Sequence, residues 1–269
     1  MTLSSLPVRR LGRIDASIVV LAAVLAFLGA GIAQGLHAWG DAQRGLLIYE
    51  RARKDAYIDA GLIARSSHVR LTQSLVSALR LQTVLVMTRS SESSAYVGSG
   101  VIVANRKGEL QILTAKHVLA HPGPHFVLFS RREGRRAVRV IRALNDDLAL
   151  LIVAPVPGMT YAVSHFAKNE LATGTPFVVM GHPGARSWVA SSGLAERHEK
   201  QTLLFCPTCD LGDSGAGVFD KSGALRGIIV LKSLISAPAK RTGRTFTFTA
   251  FEAEPLSRVR PFVRTALRA

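Results

Sequence analysis

From residue 83 onward the chain is a succession of short β-rich runs broken by glycine, serine and asparagine, and no other feature limits the fold as much. The runs fall at 83–88, 101–104, 111–114, 126–130, 138–144, 148–153, 177–181, 188–192, 201–205, 217–219, 227–231 and 245–251. Runs of this length and spacing indicate an all-β barrel or sandwich. Hydrophobic residues make up 48% of the chain, enough to build a core. Its two cysteines exclude a multi-disulfide scaffold, so packing must hold the core together. After the last run, Leu256, Val259, Phe262, Val263 and Leu267 alternate with arginines, which predicts a short amphipathic C-terminal helix with a kink at Pro261.

The upstream third has a different texture. Arg9, Arg10 and Arg13 precede an uninterrupted apolar run at 16–33. At about 1.5 Å per residue such a run nearly crosses a hydrocarbon layer of about 30 Å. Basic residues before it place the N-terminus in the cytoplasm and everything after it outside. A retained anchor is the favoured reading; a cleaved signal peptide, processed near Gly31-Ile32-Ala33, is the other. Between 41 and 81 there is no proline, charges alternate with apolar residues, and Leu71, Leu75 and Leu79 share one helical face. The expected organisation is a basic cytoplasmic segment at 1–14, a transmembrane helix or signal anchor at 15–39, a helical stalk at 40–81, and a β domain at 82–269.

Three motifs carry chemistry. Gly212-Asp213-Ser214-Gly215 places a hydroxyl between glycines that permit a tight turn. A serine hydroxyl needs an adjacent base, and its acyl-transfer intermediate needs backbone donors aimed at the developing oxyanion. The turn Gly212, Asp213, Ser214 is the candidate oxyanion hole, through the amides of Gly212 and Ser214. Leu113-Thr114-Ala115-Lys116-His117-Val118 puts a histidine at a strand exit, where a base can face the serine. Asn145-Asp146-Asp147-Leu148-Ala149-Leu150-Leu151 puts an acid at the start of an apolar strand, where it can orient the imidazole. Asp147 directly precedes the apolar run and is chosen; Asp146 is the rival.

The order His117, Asp147, Ser214 is the chain order of chymotrypsin-like enzymes. With Gly98-Ser99-Gly100-Val101-Ile102-Val103, Met180-Gly181-His182-Pro183-Gly184, Ser192-Gly193-Leu194 and Gly223-Ala224-Leu225-Arg226-Gly227-Ile228, the chain resembles the trypsin-like peptidases. The resemblance is to their bacterial HtrA-type and glutamyl-endopeptidase-type branch and covers roughly residues 83 to 252. It implies a mainly β fold of two six-stranded barrels with the triad in the cleft between them. The implied activity is peptide-bond hydrolysis through an acyl-enzyme, on protein or peptide substrates and without a cofactor or metal. The sequence departs from the family at Ala216, where glycine is usual, and at Lys116, where alanine is usual; Lys116 is expected to point to solvent. The HtrA-type PDZ domain is not expected here.

Cys206-Pro207-Thr208-Cys209 lies just upstream of the serine. A local disulfide between Cys206 and Cys209 is the favoured reading, free thiols the second; a metal site would need His198 and a further soft ligand. The specificity pocket draws on residues 205–212 and 228–233. Asp210 could select basic side chains, and Lys232 or His198 acidic ones. Lysine and arginine outnumber aspartate and glutamate by 34 to 18, but aromatics are only 6% and no nucleic-acid motif is present, so no nucleic-acid partner is expected. Two alternatives to an exported, membrane-tethered serine endopeptidase stand: an inert trypsin-like binding module, and a viral or phage maturation protease.

Overall fold

In the computed structural model, residues 69–91, 94–197, 202–238 and 245–268 are described. The 16–33 run, most of the expected stalk and His198 lie outside them. Among the described residues no helix is long and apolar enough to cross a membrane.

The first helix, α1 (Gln73–Gln82), starts at Thr72, whose Oγ1 accepts the Leu75 amide at 3.3 Å. Leu71 therefore precedes the helix and is exposed, while Leu79 is fully buried and Leu75 packs on the core. The helix is a packing element more than a stalk. It passes without a linker into the first strand because Thr83 is already extended.

The first sheet is antiparallel and is built from β1 (Thr83–Arg89), β2 (Ala95–Arg106), β3 (Glu109–Ala115), β4 (His125–Leu128), β5 (Gly134–Arg136), β6 (Arg139–Arg142) and β7 (Leu148–Val153). Its order is β5-β4-β1-β2-β3-β7-β6, seven strands where the sequence predicts six. The extra strand, Gly-Arg-Arg, has no apolar signature to read. It runs on into β6 through Ala137 and Val138. The Ala137 amide donates to the His125 carbonyl at 2.8 Å, and the Val138 amide to the Ile152 carbonyl at 2.9 Å. One bent segment thus joins both edges of the sheet and makes it barrel-like.

The second sheet is a closed barrel of β8 (Pro176–Gly181), β9 (Val189–Arg197), β10 (Thr202–Phe205), β11 (Gly217–Phe219), β12 (Leu225–Pro238) and β13 (Thr245–Pro255), ordered β10-β13-β12-β11-β8-β9. Closure leaves no free edge on its short strands. Helix α2 (Leu256–Ala266) follows directly, buries Leu256, Val259 and Val263, and contains Pro261. The architecture is the mainly β, two-barrel, chymotrypsin-like one with a short C-terminal helix. One apolar cluster joins Ile112 and Leu150 of the first sheet to Phe219 and Ile228 of the second and to Val259 of α2. A second cluster, around Phe177, Leu204 and Phe251, fills the closed barrel.

Candidate active site

Strand register brings the base and the acid together. In the β3–β7 ladder Ala115 pairs with Leu148, so the residues just beyond β3 meet those just before β7. His117 sits in a 3-10 turn, Lys116–Leu119, anchored by buried Val118 and Leu119. Its Nδ1 lies 2.6 Å from Asp147 Oδ2, and its backbone amide donates to Asp147 Oδ1 at 2.9 Å. A carboxylate only accepts, so the imidazole proton is on Nδ1 and the Nε2 lone pair faces away from the acid. Asp146 turns elsewhere, to Arg258 Nη1 of α2 at 3.5 Å. Lys116 does not point to solvent: its ammonium donates to the Ala143 carbonyl at 3.0 Å and ties down the loop that carries Asp147.

The serine turn docks on the same strand end. The Ser99 amide of β2 donates to the Ser214 carbonyl at 2.7 Å, and the Gly215 amide to the Ile229 carbonyl at 2.7 Å. Gly215 has φ +86°, and a Cβ there would lie 2.0 Å from the Ser99 carbonyl oxygen and 2.3 Å from Thr114 Oγ1. Glycine is therefore required for the turn to reach the exit of β3, two residues before His117. Ala216 is buried and bonds Asp213 and Ile229 through its backbone, so alanine fits where the family has glycine. The Ser214 hydroxyl has no hydrogen-bond partner among the described residues; contacts of this kind often tighten only with substrate in place.

Residues 98–228 match the family model of the trypsin-like peptidase domain. The chain carries a trypsin-like peptidase domain, and with it is a serine-type endopeptidase. Among solved structures, the active form of the Rv3671c protease from M. tuberculosis is similar at TM-score 0.56 and 18% identity, over 70% of this chain and 81% of that one. Its inactive form aligns at 0.54 and 17%, over 70% and 90%. The serine endoprotease from Yersinia pestis aligns at 0.55 and 22%, over 74% and 68%. At these identities the likeness concerns the fold. No curated protein matches the chain in sequence.

Within the peptidase domain the Gly212–Ser214 turn has a more specific geometry than its motif. The Asp213 amide donates to the Asp210 carbonyl at 3.1 Å and is thereby removed from the candidate hole. The amides of Gly212 and Ser214 have no such partner among the described residues. Gly212 has φ +99°, and a Cβ there would meet the His182 carbonyl oxygen at 2.3 Å. Behind the turn Ser99 Oγ donates to the Gly212 carbonyl at 2.9 Å, so His182 Nδ1–H, also at 2.9 Å, must donate to Ser99 Oγ. His182 is fully buried. Burial, with the Arg80 charge second, holds its pKa down at about 3, so it remains a neutral donor. Trp188 packs edge-on against it at 4.9 Å, and the Arg80 guanidinium lies 3.5 Å over the Trp188 ring. The Asp213 carboxyl is buried too, and burial pushes it up to about 7 against the opposing hydrogen bond from the Asp210 amide.

The sequence motifs contain Ser99 and His182 but do not show that they form a relay to Gly212. Only their shared position behind the turn does so. The pocket candidates also look different in three dimensions: Lys232 Nζ and Asp210 Oδ1 lie 2.9 Å apart, so the two opposite charges neutralise each other. Cys206 and Cys209 form a disulfide buried in the barrel core, which removes both from metal binding. Among the described residues, no cluster of metal-ligating side chains occurs.

Proposed function

We propose that the chain cleaves internal peptide bonds with a His117-Asp147-Ser214 triad, tethered by residues 16–33 to a membrane and acting on its outer, periplasmic or extracellular side. The observation that carries this is the two-point grip of Asp147 on His117, made next to the docked Ser214 turn. In the forward step, His117 Nε2 takes the Ser214 proton as Oγ attacks the substrate carbonyl carbon. The tetrahedral oxyanion then faces the Gly212 and Ser214 amides. The imidazolium, stabilised by Asp147, returns the proton to the leaving amine, and the C–N bond breaks to leave the Ser214 ester. Water, deprotonated by the same Nε2, attacks the ester carbon; the C–Oγ bond then breaks, Nε2 returns the proton to Ser214 Oγ, and the acid is released. The basic-then-apolar order of the N-terminal segment supports the tether and its orientation.

Labelling with a fluorophosphonate probe tests the chemistry. The wild-type chain should label and Ser214→Ala should not. Equal labelling of both would remove Ser214 from the mechanism, and a folded wild-type chain that neither labels nor cleaves a peptide library would favour the inert binding module.

A further inference from the structure

Helix α2 presents a cationic face that the peptidase chemistry does not use. Arg258 points toward Glu254 and Asp146 on the active-site side, with ion pairs of 3.0 and 3.5 Å. At 3.6 residues per turn, Arg260 and Arg264 stand roughly 200° and 240° around the helix from Arg258, and Arg268 follows in the turn just past the helix end. With Arg106 at the end of β2, these three surround a cavity of about 420 Å³ floored by Phe166 and Leu267. A second cavity of about 220 Å³ on the same face adds Lys168. Glu170 is the one carboxylate lining either cavity, and its oxygens are held by the Leu256 and Ser257 amides at 3.1 and 2.6 Å. Among the described residues, Arg106, Arg264 and Arg268 have no carboxylate within ion-pair distance.

We propose that this face docks on anionic phospholipid, with guanidinium groups taking headgroup phosphates and Phe166 and Leu267 meeting the interfacial layer. Guanidinium is the side chain whose planar fork matches phosphate oxygens. Arg260 and Arg264 lie about 6 Å apart along one side of the helix and Arg268 continues the row past its end, which suits a surface of many phosphates better than a single anion. Cations interleaved with apolar side chains are the pattern of helices that lie at a bilayer surface. Half-buried Phe166 is the only aromatic lining either cavity, so the face has no exposed ring on which to stack a nucleic-acid base. The choice of lipid over soluble phosphate rests on the tether proposed above.

The test uses the full chain reconstituted in phosphatidylcholine vesicles, with or without about 30% phosphatidylglycerol, and reads hydrogen exchange over residues 256–268. Alkaline flotation of the neutral vesicles reports the tether alone, so loss of the tether and loss of the docking face are separate results. The expected outcome is exchange about tenfold slower on anionic than on neutral vesicles, lost in about 0.5 M salt and in Arg264→Glu/Arg268→Glu. Arg264→Gln/Arg268→Gln should give intermediate protection, and peptide cleavage by both variants reports that they fold. Equal exchange on the two vesicle types, or protection retained in the charge-reversed variant, overturns the proposal. Equal protection by inorganic phosphate in detergent assigns the face to a soluble anion instead, and equal protection by a polyglutamate peptide assigns it to an acidic protein.

Discussion

Two neighbouring aspartates, alike in sequence, do different work. Asp147 grips His117 at two points, while Asp146 pairs with Arg258. Asp147→Asn should therefore lower kcat on the order of 10⁴-fold, because the amide no longer favours the required tautomer. Asp146→Asn should stay within about threefold of wild type in steady-state cleavage of the same peptide, since a partly exposed ion pair contributes little. The buried pair behind the turn predicts a pH effect. His182 titrates near 3 in the fold against about 6.5 unfolded, so between those values the unfolded chain binds more protons and stability rises with pH. Asp213 titrates near 7 in the fold against about 3.9 unfolded, so there the folded chain holds more protons and stability falls with pH. The two oppose each other between about pH 4 and 6.5. In Asp213→Asn the unfolding free energy from guanidinium melts should rise more steeply across that interval than in wild type; equal slopes would mean that Asp213 is already ionised in the fold.

At the scale of elements, the segment before the serine and strand β12 carry the two charges expected to bear on specificity, Asp210 and Lys232. Asp210 precedes the Gly212–Ser214 turn, Lys232 lies on β12, and in their 2.9 Å pair each charge opposes the other. Lys232→Ala removes this cation from Asp210 and should raise kcat/KM for peptides with lysine or arginine at the cleaved bond by about five- to tenfold over neutral ones. A peptide-library cleavage profile reads this directly, and an unchanged profile would place the pair outside the substrate pocket. The Cys206–Cys209 disulfide closes the same segment from within the barrel core. Helix α1 joins the site at its far side, because Arg80 reaches both the Phe129 carbonyl at 2.6 Å and the Trp188 ring that packs on His182.

At the scale of the molecule, the two sheets are not independent lobes. One cluster takes Ile112 and Leu150 from the first, Phe219 and Ile228 from the second, and Val259 from α2. The proposed catalytic groups come from both sides of that shared core: His117 and Asp147 from the first sheet, Ser214 from the segment leading into the second. Loss of β circular dichroism and loss of cleavage activity should therefore coincide in one denaturant transition. Phe219→Ala, at a fully buried position in the cluster, should lower the unfolding free energy by about 3–5 kcal/mol and move both midpoints down together. Separate transitions would show lobes that fold alone.

Most of the β-runs, the amphipathic C-terminal helix and the identities of the triad candidates were legible in the sequence, because hydrophobic periodicity and glycine placement are local properties. The Gly134–Arg136 strand was not, because its pairing comes from position at the barrel seam and not from apolar content. Asp147 was chosen over Asp146 from its place directly before the apolar run, but its two-point contact with His117 was not legible, because the β3–β7 register makes it. The same holds for the His182–Ser99–Gly212 relay and the Asp210–Lys232 pair, whose members lie 83 and 113 residues apart in the relay and 22 apart in the pair. Hydrogen bonds and ion pairs act over about 3 Å of space whatever the distance along the chain. The sequence alone therefore determined which groups could do the chemistry, and tertiary structure decided which of them meet.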